Sequence, residues 1–249
     1  MKTESGLVAV AGLVALAAAC TSSGAGGREV QITQKDDGCT PASVSVTAGE
    51  KLKLVVKNES SKDYEIEGIE GANLEEVVVP EGRTRTPGYT VPAGAGVHKL
   101  KCYVPGGVAT IIELTAGEAS GGTPAPQPSN PAGQTGASSN APAGTTVTVR
   151  LSDFVVTPDT TSVKAGPVHF VVSNTSTDSV HEMAVLRSKS STSFENMGEV
   201  EVMPPGVSGA ITLDLSPGTY RLACLVAKGE QGSVVDHYQQ GMYTDITVN

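Results

Sequence analysis

One segment near the middle of the chain decides how the rest can fold. Residues 118–144, EASGGTPAPQPSNPAGQTGASSNAPAG, show no periodic pattern and almost no large apolar side chains. Such a segment cannot bury enough apolar surface to offset its conformational entropy, so we expect a flexible linker. Its reach is about 30 Å as a random coil and about 80 Å as extended polyproline II. The chain is therefore divided into two domain-sized parts, residues 28–117 and 145–249.

Both parts carry the pattern of β-strands. Runs rich in Val, Ile and Thr alternate apolar and polar residues between turns, as in SVSVTAGEKLKLVVKN (43–58), TVTVRLSDFVV (146–156), AITLDL (210–215) and YTDITV (243–248). The best helical candidate is the short stretch around residues 192–199. Many short strands separated by turns predict an all-β protein with one β-sandwich in each part.

The two parts also repeat each other in sequence. PASVSVTAGEKLKLVVKN in the first aligns with PDTTSVKAGPVHFVVSN in the second after a one-residue gap. Counting seven residues beyond the final Asn of each segment pairs Glu65 with His181. Further along, HKLKC and YRLAC pair Cys102 with Cys224. The same scaffold is therefore expected twice, with different side chains at corresponding places.

The net charge narrows the range of partners. It is −9, so no basic patch is available to neutralise the phosphates of a nucleic acid. An acidic surface favours weak electrostatic docking to a basic protein. The sequence shows neither a nucleophile paired with a base nor a phosphate-cradling loop. We therefore expect a protein that is not an enzyme and has no small-molecule substrate.

The N-terminus predicts export. Residues 7–19, LVAVAGLVALAAA, suit the apolar core of a signal peptide, which we place at 1–19. The stretch ending at Cys20 resembles a bacterial lipobox, although its Leu16 lies one place further back than usual. The resemblance implies a lipid on Cys20 and a tether over 20–27; the alternative is an ordinary signal peptide cut nearby. Either way we expect a location at the outer face of the cytoplasmic membrane or in the periplasm.

Export changes how the remaining cysteines are interpreted. An oxidising compartment permits disulfides. If Cys20 carries lipid, then Cys39, Cys102 and Cys224 remain. An odd number leaves one thiol without a partner in the chain.

The second part resembles a bacterial cupredoxin, the blue-copper Greek-key β-sandwich. The similarity covers residues 145–249 and rests on HEMAVL, SPGTYRLAC and HYQQGMYTDITV. It implies one type 1 copper ion, held by four residues: His181, Cys224, His237 and Met242. A thiolate, two imidazoles and a weak thioether form a ligand set that suits both oxidation states of copper.

The second part departs from that family in one place. Twelve residues, LVAKGEQGSVVD, separate Cys224 from His237, where typical members have only a few. We refer to residues 225–236 as the insertion. Its Gly and polar content predicts a loop that bulges outward without disturbing the strand ends.

The first part has no His or Met after its late cysteine, so it cannot form the same site. It is similar to the cupredoxin-like modules attached to bacterial periplasmic iron-uptake proteins, which share the positions of Cys39, Glu65 and Cys102. A disulfide between the two cysteines, worth roughly 4 kcal/mol, is favoured. The alternative is a second metal site, in which both join Glu65 and either Glu75 or Glu76.

These features together predict a lipid-anchored, exported carrier of single electrons. Its partner would be a redox protein such as a cytochrome or a membrane oxidase or reductase. The linker would let the copper domain swing between donor and acceptor. Two alternatives remain open: a protein that scavenges or delivers Cu(I), and a structural or interaction lipoprotein that binds no metal.

Overall fold

The computed structural model describes residues 27–118 and 144–249. The signal peptide, Cys20 and almost all of the predicted linker lie outside these residues. Within the two described ranges, regular structure consists of strands and one short 3-10 turn, Glu230–Gly232. No helix in these ranges is long and apolar enough to cross a membrane.

The first domain is a sandwich of two sheets. One sheet runs β2-β1-β4-β7, with β8 also paired to β4, and the other runs β3-β10-β9-β5-β6. The strands are β1 (Arg28–Lys35), β2 (Gly38–Thr40), β3 (Ser43–Thr47), β4 (Lys51–Asn58), β5 (Tyr64–Ile69), β6 (Val77–Val79), β7 (Thr84–Arg85), β8 (Gly88–Thr90), β9 (Gly96–Tyr103) and β10 (Ala109–Gly117).

The second domain repeats this arrangement. Its sheets run β12-β11-β14-β17 and β13-β19-β18-β15-β16. The strands are β11 (Thr145–Ser152), β12 (Val155–Pro158), β13 (Ser162–Val163), β14 (Gly166–Asn174), β15 (His181–Ser190), β16 (Ser193–Met203), β17 (Ser208–Leu215), β18 (Gly218–Ala223) and β19 (Tyr243–Val248).

The two domains share their topology as well as their sequence pattern. The first strand of each pairs in parallel with the fourth, β1 with β4 and β11 with β14. The third strand pairs in parallel with the last, β3 with β10 and β13 with β19. Alternate residues of these strands fill a separate core in each domain. The prediction of two all-β sandwiches is confirmed, and the mixed sheets are consistent with Greek-key connections.

The best helical candidate in the sequence, the stretch around residues 192–199, is not helical. These residues belong mainly to β16, which pairs antiparallel with β15 through three register shifts. The shifts interrupt the alternation of buried and exposed side chains, so the local pattern does not resemble a regular strand. Pairing with β15 therefore decides the conformation, and the local sequence does not.

Strand register corrects the residue pairing that was counted from the repeat. In each domain the Asn that ends the fourth strand donates its side-chain N–H to a carbonyl of the sixth strand, Val79 in one and Met203 in the other. Val79 lies opposite Tyr64, whereas Met203 lies opposite His181. His181 therefore corresponds to Tyr64.

The same shift applies to the next residue along the strand. Cys102 lies opposite Ile66, two residues after Tyr64, so the residue between them, Glu65, corresponds to Glu182. The pairing shifts because the loop between the fourth and fifth strands is one residue longer in the second domain than in the first. The same Asn side chain also reaches the carbonyl of Lys62 in the first domain, four residues on, and that of Ser179 in the second, five residues on.

The two sandwiches pack against each other. The sheet that contains β9 faces the sheet that contains β15, and a shared apolar cluster fills the space between them: Tyr103 and Ala109 from the first domain with Ala184, Leu186, Phe194, Ala223, Leu225 and Tyr238 from the second. At Gly106 an added Cβ would lie 2.8 Å from Tyr238 Oη, so a glycine permits this close approach. The structure therefore shows docked domains, in contrast to the independent copper domain expected from the linker.

Candidate metal centre

His181 is the first residue of β15 and points into the interior of the second domain. Its side chain is fully buried. Its backbone is held on one side by pairing with Met203 of β16, and β15 begins to pair with β18 at Ala184. Nε2 lies 3.8 Å from a carboxylate oxygen of Asp153, which leaves Nδ1 directed toward Cys224 and His237.

The other three candidate ligands come from the connection between β18 and β19. Cys224 follows β18 directly, and Met242 precedes β19. The N–H of Cys224 donates to the carbonyl of Met242 over 3.0 Å, and the N–H of Met242 donates to the carbonyl of His237 over 3.1 Å. Gly241 has φ +87°, a left-handed conformation that favours glycine in this turn. These bonds bring the three residues to the same end of the sandwich.

Three side-chain atoms converge there. The two Nδ1 atoms of His181 and His237 lie 3.2 Å apart, and the Sγ of Cys224 lies 3.8 Å from the first and 3.4 Å from the second. Metal–nitrogen bonds of about 2.0 Å and metal–sulfur bonds of about 2.3 Å in a trigonal arrangement would place ligand atoms roughly 3.5 to 3.7 Å apart. The spacing therefore fits a single metal ion. Met242 is fully buried beside these residues.

The sequence comparison agrees with this geometry. The profile of the cupredoxin-like domain family matches residues 7–102 and 132–235, which together make up most of the chain. The chain belongs to the cupredoxin family. It contains two cupredoxin-like domains, and the buried His, Cys, His and Met of the second are consistent with a type 1 copper site.

Comparison with solved structures finds similarity to several copper proteins at low sequence identity. Reduced auracyanin from Roseiflexus castenholzii is 21% identical, with 43% of this chain and 98% of that chain covered and a TM-score of 0.34. A multi-copper oxidase from Pseudomonas thermotolerans is 15% identical, with 89% of this chain and 68% of the oxidase chain covered and a TM-score of 0.34. The copper nitrite reductase of Nitrosomonas europaea is 11% identical, with 89% of this chain and 93% of the reductase chain covered and a TM-score of 0.31. No curated protein sequence matches the chain significantly.

The protonation of this cupredoxin centre follows from its burial. Burial lowers the pKa of His181, and the nearby Asp153 carboxylate opposes that shift. Burial, reinforced by His181, lowers the pKa of His237 to about 4. Burial and the charge of Glu182 raise the pKa of the Cys224 thiol. At neutral pH the metal-free centre thus holds two neutral imidazoles and a thiol, and a bound metal would displace the thiol proton.

A hydrogen-bond chain sets the orientation of the His237 ring. Ser233 Oγ donates to the carbonyl of Val235 over 2.7 Å, so it accepts from the His237 Nε2, 3.2 Å away. The proton therefore sits on Nε2, which leaves the lone pair of Nδ1 free to bind a metal. The ring of Phe154 packs edge-on against His237, with 5.3 Å between centroids.

The insertion does not bulge outward along its whole length. Its first three residues, Leu225–Ala227, and Glu230 are buried. The Glu230 carboxylate accepts the N–H of Ala227 over 2.9 Å, and His237 N–H donates to the carbonyl of Val226 over 2.9 Å. The expectation of an outward loop is wrong here, because the insertion packs against the first domain. The insertion is exposed at Lys228 and Gly229 and over much of its later part, where Val234 is 78% exposed.

The first domain uses its two cysteines differently. Cys39 and Cys102 form a disulfide, and because their sulfurs are bonded to each other, neither is a thiolate that could bind a metal. Glu65 is buried, and burial followed by the charge of Glu76 raises its pKa to about 8. Glu76 accepts hydrogen bonds from Tyr103 and from Asn196 of the second domain, and Glu75 is exposed. In the described residues, the group spaced for a metal is His181, Cys224 and His237.

Sequence reasoning overlooked the residues that support the centre. Ser233 and Asp153 contact the two imidazoles, and Lys101 lies behind the centre with Glu182 and Glu230. One signal was available in the sequence, since Glu182 directly follows a predicted ligand. The partner of Glu182 is distant in sequence, so the pair becomes evident only when the domains are docked.

Proposed function

We propose that this cupredoxin is an exported, lipid-anchored type 1 copper protein that carries single electrons. His181, Cys224 and His237, with Met242 as a weaker ligand, would hold a copper ion, which would supply one-electron chemistry between Cu(II) and Cu(I). The protein would accept one electron from a donor and pass it to an acceptor. On this proposal it acts as a carrier rather than an enzyme.

The convergence of three buried ligand atoms carries the proposal. His181, Cys224 and His237 are each at most 3% exposed, and backbone pairing holds two of them at strand ends. Ligands held this way change little in geometry between oxidation states, which favours electron transfer. Burial also favours retention of the ion over its delivery to another protein, because delivery requires an incoming ligand to reach the metal.

The solvent side of the centre supports a route for the electron. A cavity of about 280 Å³ lies over the site, and His237 is the ligand that lines it, together with Phe154 and Val234. The imidazole of His237 would thus be the ligand nearest a docked redox partner. A cytochrome or a membrane oxidase or reductase with a basic face would complement the net charge of −9.

The proposed location rests on the N-terminal sequence. An apolar core at residues 7–19 and the lipobox-like stretch before Cys20 support export and lipid attachment. The anchor would keep the carrier at the outer face of the cytoplasmic membrane. Mass spectrometry of the mature N-terminus tests this point: a diacylated Cys20 is expected, and an unmodified terminus elsewhere would contradict it.

Copper titration tests the function. Cu(II) added to the purified protein should produce an intense blue thiolate-to-copper absorption band and a reversible one-electron couple. Cys224→Ser and His237→Gln should abolish the band. His169→Gln is the matched control, since His169 lies in the same domain but bonds to Thr212. Tight, colourless Cu(I) binding would instead indicate copper scavenging or delivery, and absence of binding would indicate a structural or interaction role.

A further inference from the structure

We infer that Lys101 of the first domain is a positioning residue for the metal centre of the second. Its ammonium nitrogen lies 3.2 Å from Glu182 Oε1, 3.4 Å from Glu230 Oε2 and 3.5 Å from Glu67 Oε1. The Lys101 side chain is 2% exposed. A single buried cation thus joins carboxylates from both domains. The inference rests on the proposed function, because it concerns how that centre is held.

The first of these carboxylates leads directly to the ligands. Glu182 directly follows His181 in β15, and Ala184 of the same strand pairs with Ala223, the residue before Cys224. The Glu182 side chain is 4% exposed and points away from the centre to Lys101. Lys101 therefore holds the residue next to one candidate ligand, on a strand that pairs with the strand leading to another.

The second carboxylate leads to the third ligand through the insertion. Glu230 begins the 3-10 turn, and its carboxylate accepts the N–H of Ala227. The adjacent Val226 carbonyl accepts the N–H of His237. Lys101 thus restrains the turn in the loop whose far end carries His237.

The first domain holds this turn at three successive residues. Lys99 donates to the carbonyl of Gly229 over 2.8 Å, Lys101 pairs with Glu230, and the N–H of Gln231 donates to Glu70 over 2.6 Å. The insertion that separates Cys224 from His237 is thereby shaped by the first domain. A domain that binds no copper itself fixes the loop of the domain that does.

Removal of the charge on Lys101 should release this loop. Glu182 and Glu230 would then be two buried carboxylates without a cation, and buried charges of this kind are unfavourable. They would move apart or draw water into the interface. The 3-10 turn would lose its central contact, and the amides near Val226 and His237 would open more often.

Hydrogen exchange of the metal-free protein tests the structural step. In Lys101→Met, the amides of residues 226–237 should exchange about tenfold faster or more, while those of β14 stay unchanged. Lys53→Met is the matched control, because its ion pair with Glu29 lies on the exposed face of the same domain. Unchanged protection in Lys101→Met with an intact first domain would overturn the inference.

A second variant approaches the same contact from the other side. Glu230→Ala alters the insertion and leaves the first domain intact, so it serves if Lys101→Met does not fold. It should open the same amides. The double variant should exchange no faster in these amides than Glu230→Ala alone, since the ion pair between Lys101 and the insertion is already lost in that variant. If the increases in exchange rate caused by Lys101→Met and Glu230→Ala were additive, the two residues would not act on the insertion through their ion pair.

Copper binding tests the functional step. Lys101→Met should bind Cu(II) about tenfold more weakly and show an altered thiolate-to-copper band, while Lys53→Met matches the wild type. Normal affinity and spectrum together with faster exchange would overturn positioning of the metal. If the wild type itself shows no blue band, the proposed function fails, and the exchange measurements still decide whether Lys101 holds the loop.

Discussion

At the scale of single residues, the centre depends on the proton of one imidazole. His237 can bind a metal through Nδ1 only while its other nitrogen carries the proton. Ser233 enforces this state, because its own hydroxyl proton is committed to the carbonyl of Val235. The insertion therefore supplies a partner for the ligand that follows it.

Ser233→Ala should weaken copper binding by about tenfold or more, because outer contacts to a ligating His usually contribute that much. Competition titration with a chelator of known affinity would measure the change. Ser233→Thr should retain most of the affinity, since it keeps the hydroxyl. Ser208→Ala, an exposed serine of the same domain, is the control and should behave as the wild type. An unchanged affinity in Ser233→Ala would show that the tautomer is set in another way.

At the scale of strands, the two domains use a cysteine at the same position in two different ways, as half of a disulfide and as a candidate metal ligand. Cys102 near the end of β9 and Cys224 just after β18 occupy equivalent places in the repeated sandwich. In the first domain, Cys39 on β2 captures this sulfur and joins the two sheets. In the second, no other described cysteine is free to pair with Cys224, so the sulfur is left as a ligand. Tyr64 at the place of His181 completes the loss of the site in the first domain.

Cys39→Ser combined with Cys102→Ser should lower the free energy of unfolding of the first domain by roughly 4 kcal/mol. The reason is that the disulfide joins two residues with a sequence separation of 63 and so restricts the unfolded chain. Denaturant titration followed by circular dichroism would measure the loss. Reduction of the wild type should produce a similar loss. An unchanged unfolding midpoint would show that the cross-link contributes little to stability.

At the scale of the whole molecule, the docked domains enclose an acidic region with a single buried cation. Burial raises the pKa of Glu67 and of Glu230 to about 7, despite their proximity to Lys101. Burial, followed by the charges of Glu182 and Glu67, raises the pKa of Glu199 to about 9. The interface is therefore most favourable when some of these carboxyls hold protons.

This arrangement predicts a loss of stability with rising pH. The folded protein retains protons that the unfolded chain releases near pH 4.5, so the free energy of unfolding should fall as the pH rises toward the folded pKa values. Between pH 7 and 8 the decline should come from Glu65 and Glu199 together, and above pH 8 mainly from Glu199. Glu199→Gln should flatten the melting temperature over this range, whereas Glu195→Gln, an exposed change on the same strand, should not. An equal slope in both variants would contradict the assignment.

Much of the fold was predictable from local sequence. Alternation of apolar and polar residues indicated the strands, and the order His, Cys, His, Met within the repeat indicated the ligands. The pairing of Glu65 with His181 was wrong by one residue, because one loop is longer by one position and a gap of that size leaves no mark in the strand pattern. In a strand, a shift of one residue turns the side chain to the other face.

The sequence by itself determined the two sandwiches and the identity of the candidate ligands, because both depend on short-range alternation and on side-chain chemistry. Only the tertiary structure decided how the domains meet and what the insertion does. Those outcomes depend on Lys101, Glu182 and Glu230, which are distant in sequence and become neighbours only when two folded surfaces pack. Composition made the insertion look like an outward loop, whereas burial of one cation among carboxylates holds it against the first domain.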